Sequence, residues 1–358
     1  MTHGNTRNTG CDTGCDSACV FDAARIDALA RRRFALAISA LFLLVVLLSV
    51  AAVGMGRFGL APVDVLSTLA GEAPSRAAEN VVWNVRLPRV ALALLAGAGL
   101  ALSGAAFQSL FANPLASPDT LGVATGASFG AVLGILWGFP GIGIQAMSLA
   151  SGLLAMGIVL LIARTRSGTS ILMTVLAGIV TGALFTALVS LVKYVADPQD
   201  VLPAITFWMM GSLTGASKDA LLAGLPMVAA GSLLLWLLRW KLNAATLPAE
   251  EAASLGIPVR RLRALVILAA TMITASVVSM CGLIGWVGLL VPHVARMLFG
   301  SDNRFVLSAS AVLGALFMLV IDTAARTLTA SEIPVSILTA VVGAPFFIVL
   351  LRRTGGVA

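Results

Sequence analysis

Two stretches of this chain contain more consecutive uncharged residues than one membrane crossing can use. Thr120 to Ala163 runs for 44 residues and Ala264 to Ala295 for 32 without an Asp, Glu, Lys or Arg. Crossing about 30 Å of hydrocarbon takes roughly 20 residues of α-helix. Each residue rises about 1.5 Å, and every backbone polar group must be bonded internally. Each run therefore holds two crossings and a break. Gly138-Phe139-Pro140-Gly141 divides the first and Cys281-Gly282 the second, because Gly and Pro interrupt helices. Phe34 to Gly56, Val90 to Pro118 and Ser167 to Val192 are also free of charge. With 11% charged residues, where soluble domains carry about 25%, and a mean hydropathy of +1.01, the chain belongs in a bilayer.

The pattern predicts an all-α polytopic membrane protein with about ten transmembrane helices, near 34–55, 90–110, 120–138, 142–163, 171–192, 220–238, 264–281, 283–299, 305–325 and 335–351. An even number of crossings leaves both termini on one side. Placing them in the cytoplasm puts 16 of the 23 Lys and Arg on that side, as the positive-inside rule requires. The formal charge of +7 is then a topology signal, and no nucleic-acid partner is needed to explain it. The division expected is a polar, disordered cytoplasmic tail over 1–33, a ten-helix domain over 34–353 with cytoplasmic helices over 241–263 inside it, and a short cytoplasmic end over 354–358. The first apolar run is long enough to span, so it reads as a crossing and not as a cleaved signal.

Several patterns suggest chemistry. Cys11, Cys15 and Cys19, with His3 upstream, offer soft metal ligands, but their spacing fits no zinc motif and a reducing cytoplasm keeps such thiols free. No metal is expected to be bound. Gly126-Ala127-Ser128-Phe129-Gly130 has the GxSxG form of a nucleophile elbow. Yet Gly122, Gly126, Gly130 and Gly134 recur every fourth residue, the spacing by which membrane helices pack backbone to backbone. Pro292-His293 falls within an apolar segment, where the proline is expected to kink the helix. No acidic residue is placed to make that histidine a proton relay. The stretch Gly211 to Lys218 fails the phosphate-loop pattern, and no other lysine completes one. The chain is accordingly expected to be no enzyme, to bind no cofactor of its own, and to draw any energy from another subunit.

Thr246 to Arg263 is a polar island between two apolar runs, and the charge census places it in the cytoplasm. Pro248 suits a first turn, Glu250 and Glu251 favour the positive end of a helix, and Gly256 before Pro258 makes a stop and a restart. Two short helices at a docking surface for a soluble partner are expected there. On the outer side Arg86, Arg89 and Arg326 stand where topology disfavours arginine, which suggests charges awaiting an acidic external partner.

Arg86-Leu87-Pro88-Arg89, Gly104-Ala105-Ala106-Phe107-Gln108 leading to Asn113-Pro114-Leu115-Ala116, Gly285 to His293 and Gly343-Ala344-Pro345-Phe346-Phe347 together resemble the FecCD-type permeases of ABC importers. The resemblance runs from about residue 34 to 353. It implies a type II ABC importer permease fold in the cytoplasmic (inner) membrane, paired with a second permease, identical or homologous. An ABC ATPase dimer that consumes ATP and Mg would sit inside, and a substrate-binding protein outside. It further implies that Arg86, Arg89 and Arg326 meet the binding protein and that Asn113, Thr169 and Ser170 narrow a cytoplasmic gate. Glu250, Glu251, Ala252, Leu255, Gly256, Arg260 and Arg261 would engage the ATPase. The closest likeness is to ferric-siderophore members, with cobalamin and haem carriers as alternatives. Pro248-Ala249, Cys281 and Trp286 depart from the usual pattern. The Gly- and Ala-rich second and third segments are expected to suit a wide, weakly binding path.

Overall fold

The computed structural model describes residues 15–56, 59–165, 168–169, 171–245, 251, 254, 256–329 and 331–354. Among these, the only strands form a two-residue hairpin, Arg164–Thr165 against Gly168–Thr169; the framework is helical.

Helix α1 (Cys15–Gly54) starts well before its apolar run. The part of the tail from Cys15 onward, expected to be disordered, is therefore helical. Its Ala-, Leu- and Arg-rich sequence has high helix propensity, and no Gly or Pro interrupts it before Gly54. Short helices α2 (Pro62–Leu69) and α3 (Arg76–Asn80) follow, and α3 passes through a π-helical turn, Val81–Arg86, into α4 (Leu87–Leu110). Pro88, lacking an N–H, supplies no i→i−4 bond to Asn84, so the ladder widens just before it.

Among the described residues a 3₁₀ turn, Pro118–Leu121, comes next, followed by helices α5 (Val123–Leu136), α6 (Gly141–Ile162), α7 (Ile171–Val195), α8 (Val201–Met209), α9 (Lys218–Ala245), α10 (Val259–Cys281), α11 (Val287–Phe299), α12 (Asn303–Thr327) and α13 (Val335–Thr354). Among the described residues seven helices are long and apolar enough to cross a membrane, and three shorter apolar ones lie at 123–136, 287–299 and 335–349. That makes the ten segments expected, with the breaks at Gly138 to Pro140 and at Gly282 where the sequence puts them. The long helix α10 begins at Val259, so Arg260, Arg261 and Arg263 are its first turns and not a separate short helix. The helix runs unbroken from these arginines into the apolar run that starts at Ala264.

Helix α4 is the hub of the bundle, packed against α9, α10, α11 and α12 and buried along most of its length. Its glycines set the spacing. A Cβ on Gly97 would lie 2.1 Å from the Gly314 carbonyl oxygen, and one on Gly104 would lie 1.9 Å from that of Gly288. The small residues of this segment thus serve contact between backbones in the core, instead of opening a path. Helices α1, α7, α9 and α13 present exposed apolar side chains such as Phe42, Leu176, Leu233 and Val341, which suits lipid or a membrane-embedded neighbour.

Candidate functional site

At the outer end, the three arginines singled out by the sequence are buried and occupied within the chain. Arg86 donates from Nη1 to the carbonyls of Val53 (2.8 Å) and Gly54 (3.0 Å), and Arg326 donates to those of Ala52 (2.6 Å) and Met55 (2.9 Å). These are carbonyls that the end of α1 leaves without intrahelical donors, at the negative end of its dipole. Arg89 donates from Nε to Asp322 (2.9 Å) and pairs with Glu332 at 3.0 Å, while Arg326 Nε stands 3.6 Å from the other Asp322 oxygen. The cluster ties together the end of α1, the start of α4, the end of α12 and the connection to α13. Sequence reasoning missed Asp322 and Glu332, which lie more than 230 residues from Arg89.

A second polar network lies at the inner end of α4. Pro292 leaves the carbonyl of Gly288 without its helical donor and strains the bond to Leu289. The Gln108 amide reaches across from α4 toward both, at 3.4 Å and 3.1 Å. Arg296, one turn beyond the proline, holds Gln108 Oε1 and donates to Ser109 Oγ at 3.1 Å. Ser109 donates to Asn303 Oδ1, and the Asn303 N–H donates to Asn243 Oδ1 (2.8 Å) near the end of α9. Asn243 also donates to Asp302, which pairs with Arg304 and caps α12. Burial opposes the charged form of Asp302, but the bonds from Arg304 and Asn243 outweigh it and hold the carboxyl below the usual carboxylate range. His293 is half-buried beside the kink.

Between these two clusters four chain interruptions meet. The end of α8 touches the α10–α11 break directly: a Cβ on Gly282 would lie 2.3 Å from the Trp208 carbonyl oxygen, and one on Gly211 2.5 Å from that of Leu283. Both glycines have φ near +70°, which a side chain would strain. Ser212 donates its N–H to the Cys281 carbonyl (2.8 Å), and Val335 at the start of α13 donates to Gly211 (3.1 Å). Trp286 also has positive φ (70°), uncommon for a bulky residue and a mark of backbone held under strain. A cavity of about 310 Å³ lies among Asp119, Thr125, Met209, Trp286 and Ser336.

Along α5 the glycine ladder faces α6 and α7. A Cβ on Gly122 would lie 3.0 Å from Gly182 N, on Gly126 2.4 Å from Ala155 Cβ, on Gly130 2.2 Å from the Met147 carbonyl oxygen, and on Gly134 3.2 Å from Ile144 Cα. Ser128 is buried and donates to the Ala124 carbonyl of its own helix (2.8 Å). Asn113 is exposed in the turn after α4, where its Oδ1 accepts from Leu115 N (2.9 Å), and Thr169 sits in the short hairpin. Glu251 and Arg261 are exposed, as is Arg260, and Gly256 has φ 73°. Ser170, Glu250, Ala252, Leu255, Pro248, Ala249 and Cys11 lie outside the described residues; Cys15 and Cys19 fall in the first turns of α1. Among the described residues no group of three or more His, Cys, Asp or Glu could hold a metal ion.

The profile of the FecCD transport family matches residues 41–353. The chain belongs to the FecCD transport family. Among FecCD relatives, the molybdate import system permease MolB of Haemophilus influenzae is 40% identical over 318 residues, 87% of this chain and 94% of its own. A Helicobacter pylori permease assigned to iron chelatin transport is 40% identical, covering 77% of this chain and 84% of its own. The cobalamin import permease BtuC of Halobacterium salinarum is also 40% identical, with 77% and 74% covered. A solved structure assigned to the metal-chelate type of ABC transporter, in an inward-facing conformation, is 39% identical and superposes with a TM-score of 0.81 over 88% of this chain and 98% of its own. This FecCD chain is thus a multi-pass ABC importer permease of the inner membrane.

Proposed function

We propose that this permease moves an iron chelate, of the ferric-siderophore kind, from an external binding protein into the cytoplasm by alternating access. An ABC ATPase dimer on the island would hydrolyse ATP with Mg, and a second permease would complete the path. The chain itself would bind no cofactor. The observation that carries the reading is the meeting of four helix interruptions inside an otherwise continuous bundle. Irregular backbone is tolerated in a membrane only where protein or a water-filled cavity covers it, and transporters build substrate sites from such broken helices. The likeness to an iron chelatin permease and to a metal-chelate transporter supports the choice of cargo.

The exposed Glu251, Arg260 and Arg261 are suited to an ATPase cleft. Arg86, Arg89 and Arg326 would meet binding-protein carboxylates only by competing with Asp322, Glu332 and the α1 carbonyls. Asn113, Thr169 and Ser170 would narrow the inner gate. The 40% identity to the cobalamin and molybdate permeases favours a second reading, in which one of those is the cargo. Proteoliposomes holding the full complex, offered in turn an iron chelate, cobalamin and molybdate on their binding proteins, separate the two. ATP-dependent uptake of iron chelate is expected; uptake of cobalamin or molybdate alone refutes the choice.

A further inference from the structure

We infer that Asp119 and Trp286 form a substrate-contact site inside the permease that favours neutral or cationic metal chelates over oxyanions and polyanionic chelates. The inference deepens the proposed function and rests on it.

Four connections supply the walls of the 310 Å³ cavity. Asp119 comes from the turn between α4 and α5, Met209 from the end of α8, Leu283, Gly285 and Trp286 from the break between α10 and α11, and Ser336 from the first turn of α13. This break lies within the bundle. Gly288, two residues past Trp286, packs on Gly104, more than two-thirds of the way along α4. The cavity is therefore where unwound backbone from four separate segments faces one space, the arrangement that creates substrate sites in other membrane transporters.

Two groups in it present chemistry to that space. Trp286 is held in its strained conformation by α13: a Cβ on Gly343 would lie 2.9 Å from its ring, and Phe347 meets it edge-on at 6.5 Å between centroids. Fixed this way, the half-buried indole offers a rigid aromatic surface that suits the apolar rim of a bulky chelate and attracts a cation to its face. Asp119 is exposed to the cavity, and among the described residues no side chain pairs with its carboxylate. The buried carboxylate of Asp322, by contrast, is held by two arginines. An unpaired acid in a membrane helix bundle is costly and marks a pathway by default. At an effective dielectric near 20, an anion of unit charge passing about 12 Å from a carboxylate is disfavoured about tenfold, and a trianion far more.

The test uses the purified permease–ATPase complex without the binding protein, so that selection upstream does not mask the site. Equilibrium dialysis would compare a cationic ferric trihydroxamate, a trianionic ferric tricatecholate and molybdate. Wild type and Asp119→Glu are expected to bind the cationic chelate best. Asp119→Asn, nearly the same shape, should raise the tricatecholate-to-trihydroxamate ratio about tenfold or more, and Trp286→Ala should weaken both chelates while leaving that ratio unchanged. An unchanged ratio in Asp119→Asn, with the variant still monodisperse, overturns the assignment, as does a wild-type preference for the trianion. Should the intact complex drive no iron chelate across proteoliposomes while Asp119→Asn still shifts charge selectivity in dialysis, the iron-chelate reading fails and the Asp119 assignment stands.

Discussion

Replacing Asp322 by alanine probes whether charge holds the outer end of the bundle together. The carboxylate is fully buried between Arg89 Nε at 2.9 Å and Arg326 Nε at 3.6 Å. Three arginines and two acids give the cluster a net charge of 3 − 2 = +1, and the substitution raises it to 3 − 1 = +2 around groups with little access to water. Removing one partner of a buried pair costs about 3–5 kcal/mol, mostly the penalty of stranding the other. Here the lower end applies, about 3 kcal/mol, because Arg89 keeps Glu332 and Arg326 keeps the carbonyls of Ala52 and Met55. Asp322→Asn retains an acceptor for Arg89 and should lose about half as much. Asp322→Leu combined with Arg89→Leu removes both charges and should recover most of the loss. The assay is reversible unfolding in mixed SDS micelles, read by tryptophan fluorescence. A loss under about 0.5 kcal/mol for Asp322→Ala, or a double leucine variant weaker than either single one, would refute the reasoning.

Gly104→Ala places a methyl 1.9 Å from the Gly288 carbonyl oxygen and should cost about 1–3 kcal/mol in the same assay, whereas alanine at Gly157, with nothing within 4 Å, should cost little. Gln108→Ala should cost about 1–3 kcal/mol by stranding the Gly288 and Leu289 carbonyls, and about 1 kcal/mol less when Pro292→Ala has restored the helical donor; equal costs in both backgrounds would break the proposed pairing. The Asp302 carboxyl is held below its unfolded range, so its contribution is present above that range and lost as pH falls through the folded value; Asp302→Asn should flatten the acid side of the stability profile relative to wild type. Glu251→Arg together with Arg261→Glu should weaken co-purification of the ATPase while leaving the permease monodisperse, and undiminished co-purification together with undiminished uptake would count against the island as its contact.

The crossings were legible because hydrophobic length and helix breakers are local properties. Thr120 to Ala163 had to be divided, and Gly138 to Gly141 was the place to do it. The depth of the second break was not legible. Gly282 ends α10 inside the bundle because Gly211 and the Trp208 carbonyl occupy the space a side chain would need, and those neighbours are some 70 residues away. Charge counts mark which side a loop faces, but not whether a charged group is free. Glu251 and Arg261 read as an exposed island and are exposed, whereas no local pattern singles out Asp119, which faces a cavity among helix interruptions.

The outer arginines show why the remainder escaped. Topology disfavours arginine on that face, so its retention at positions 86, 89 and 326 called for a cause, and an external partner was the available one. The folded chain supplies a nearer cause: α1 ends at Gly54 with carbonyls that no later residue of the same helix can reach, and planar guanidinium groups with several N–H donors reach two carbonyls each. The same logic governs Gln108, whose amide replaces the donor that Pro292 lacks. In a bilayer each backbone group left open by a helix end or a proline must find a partner, and the sequence shows the donor long before it shows the acceptor. A charged or amide side chain near a helix end in such a chain is therefore first a candidate to close an open backbone group within its own subunit. Asp119 is the contrasting case, because it faces the cavity and among the described residues no side chain pairs with it.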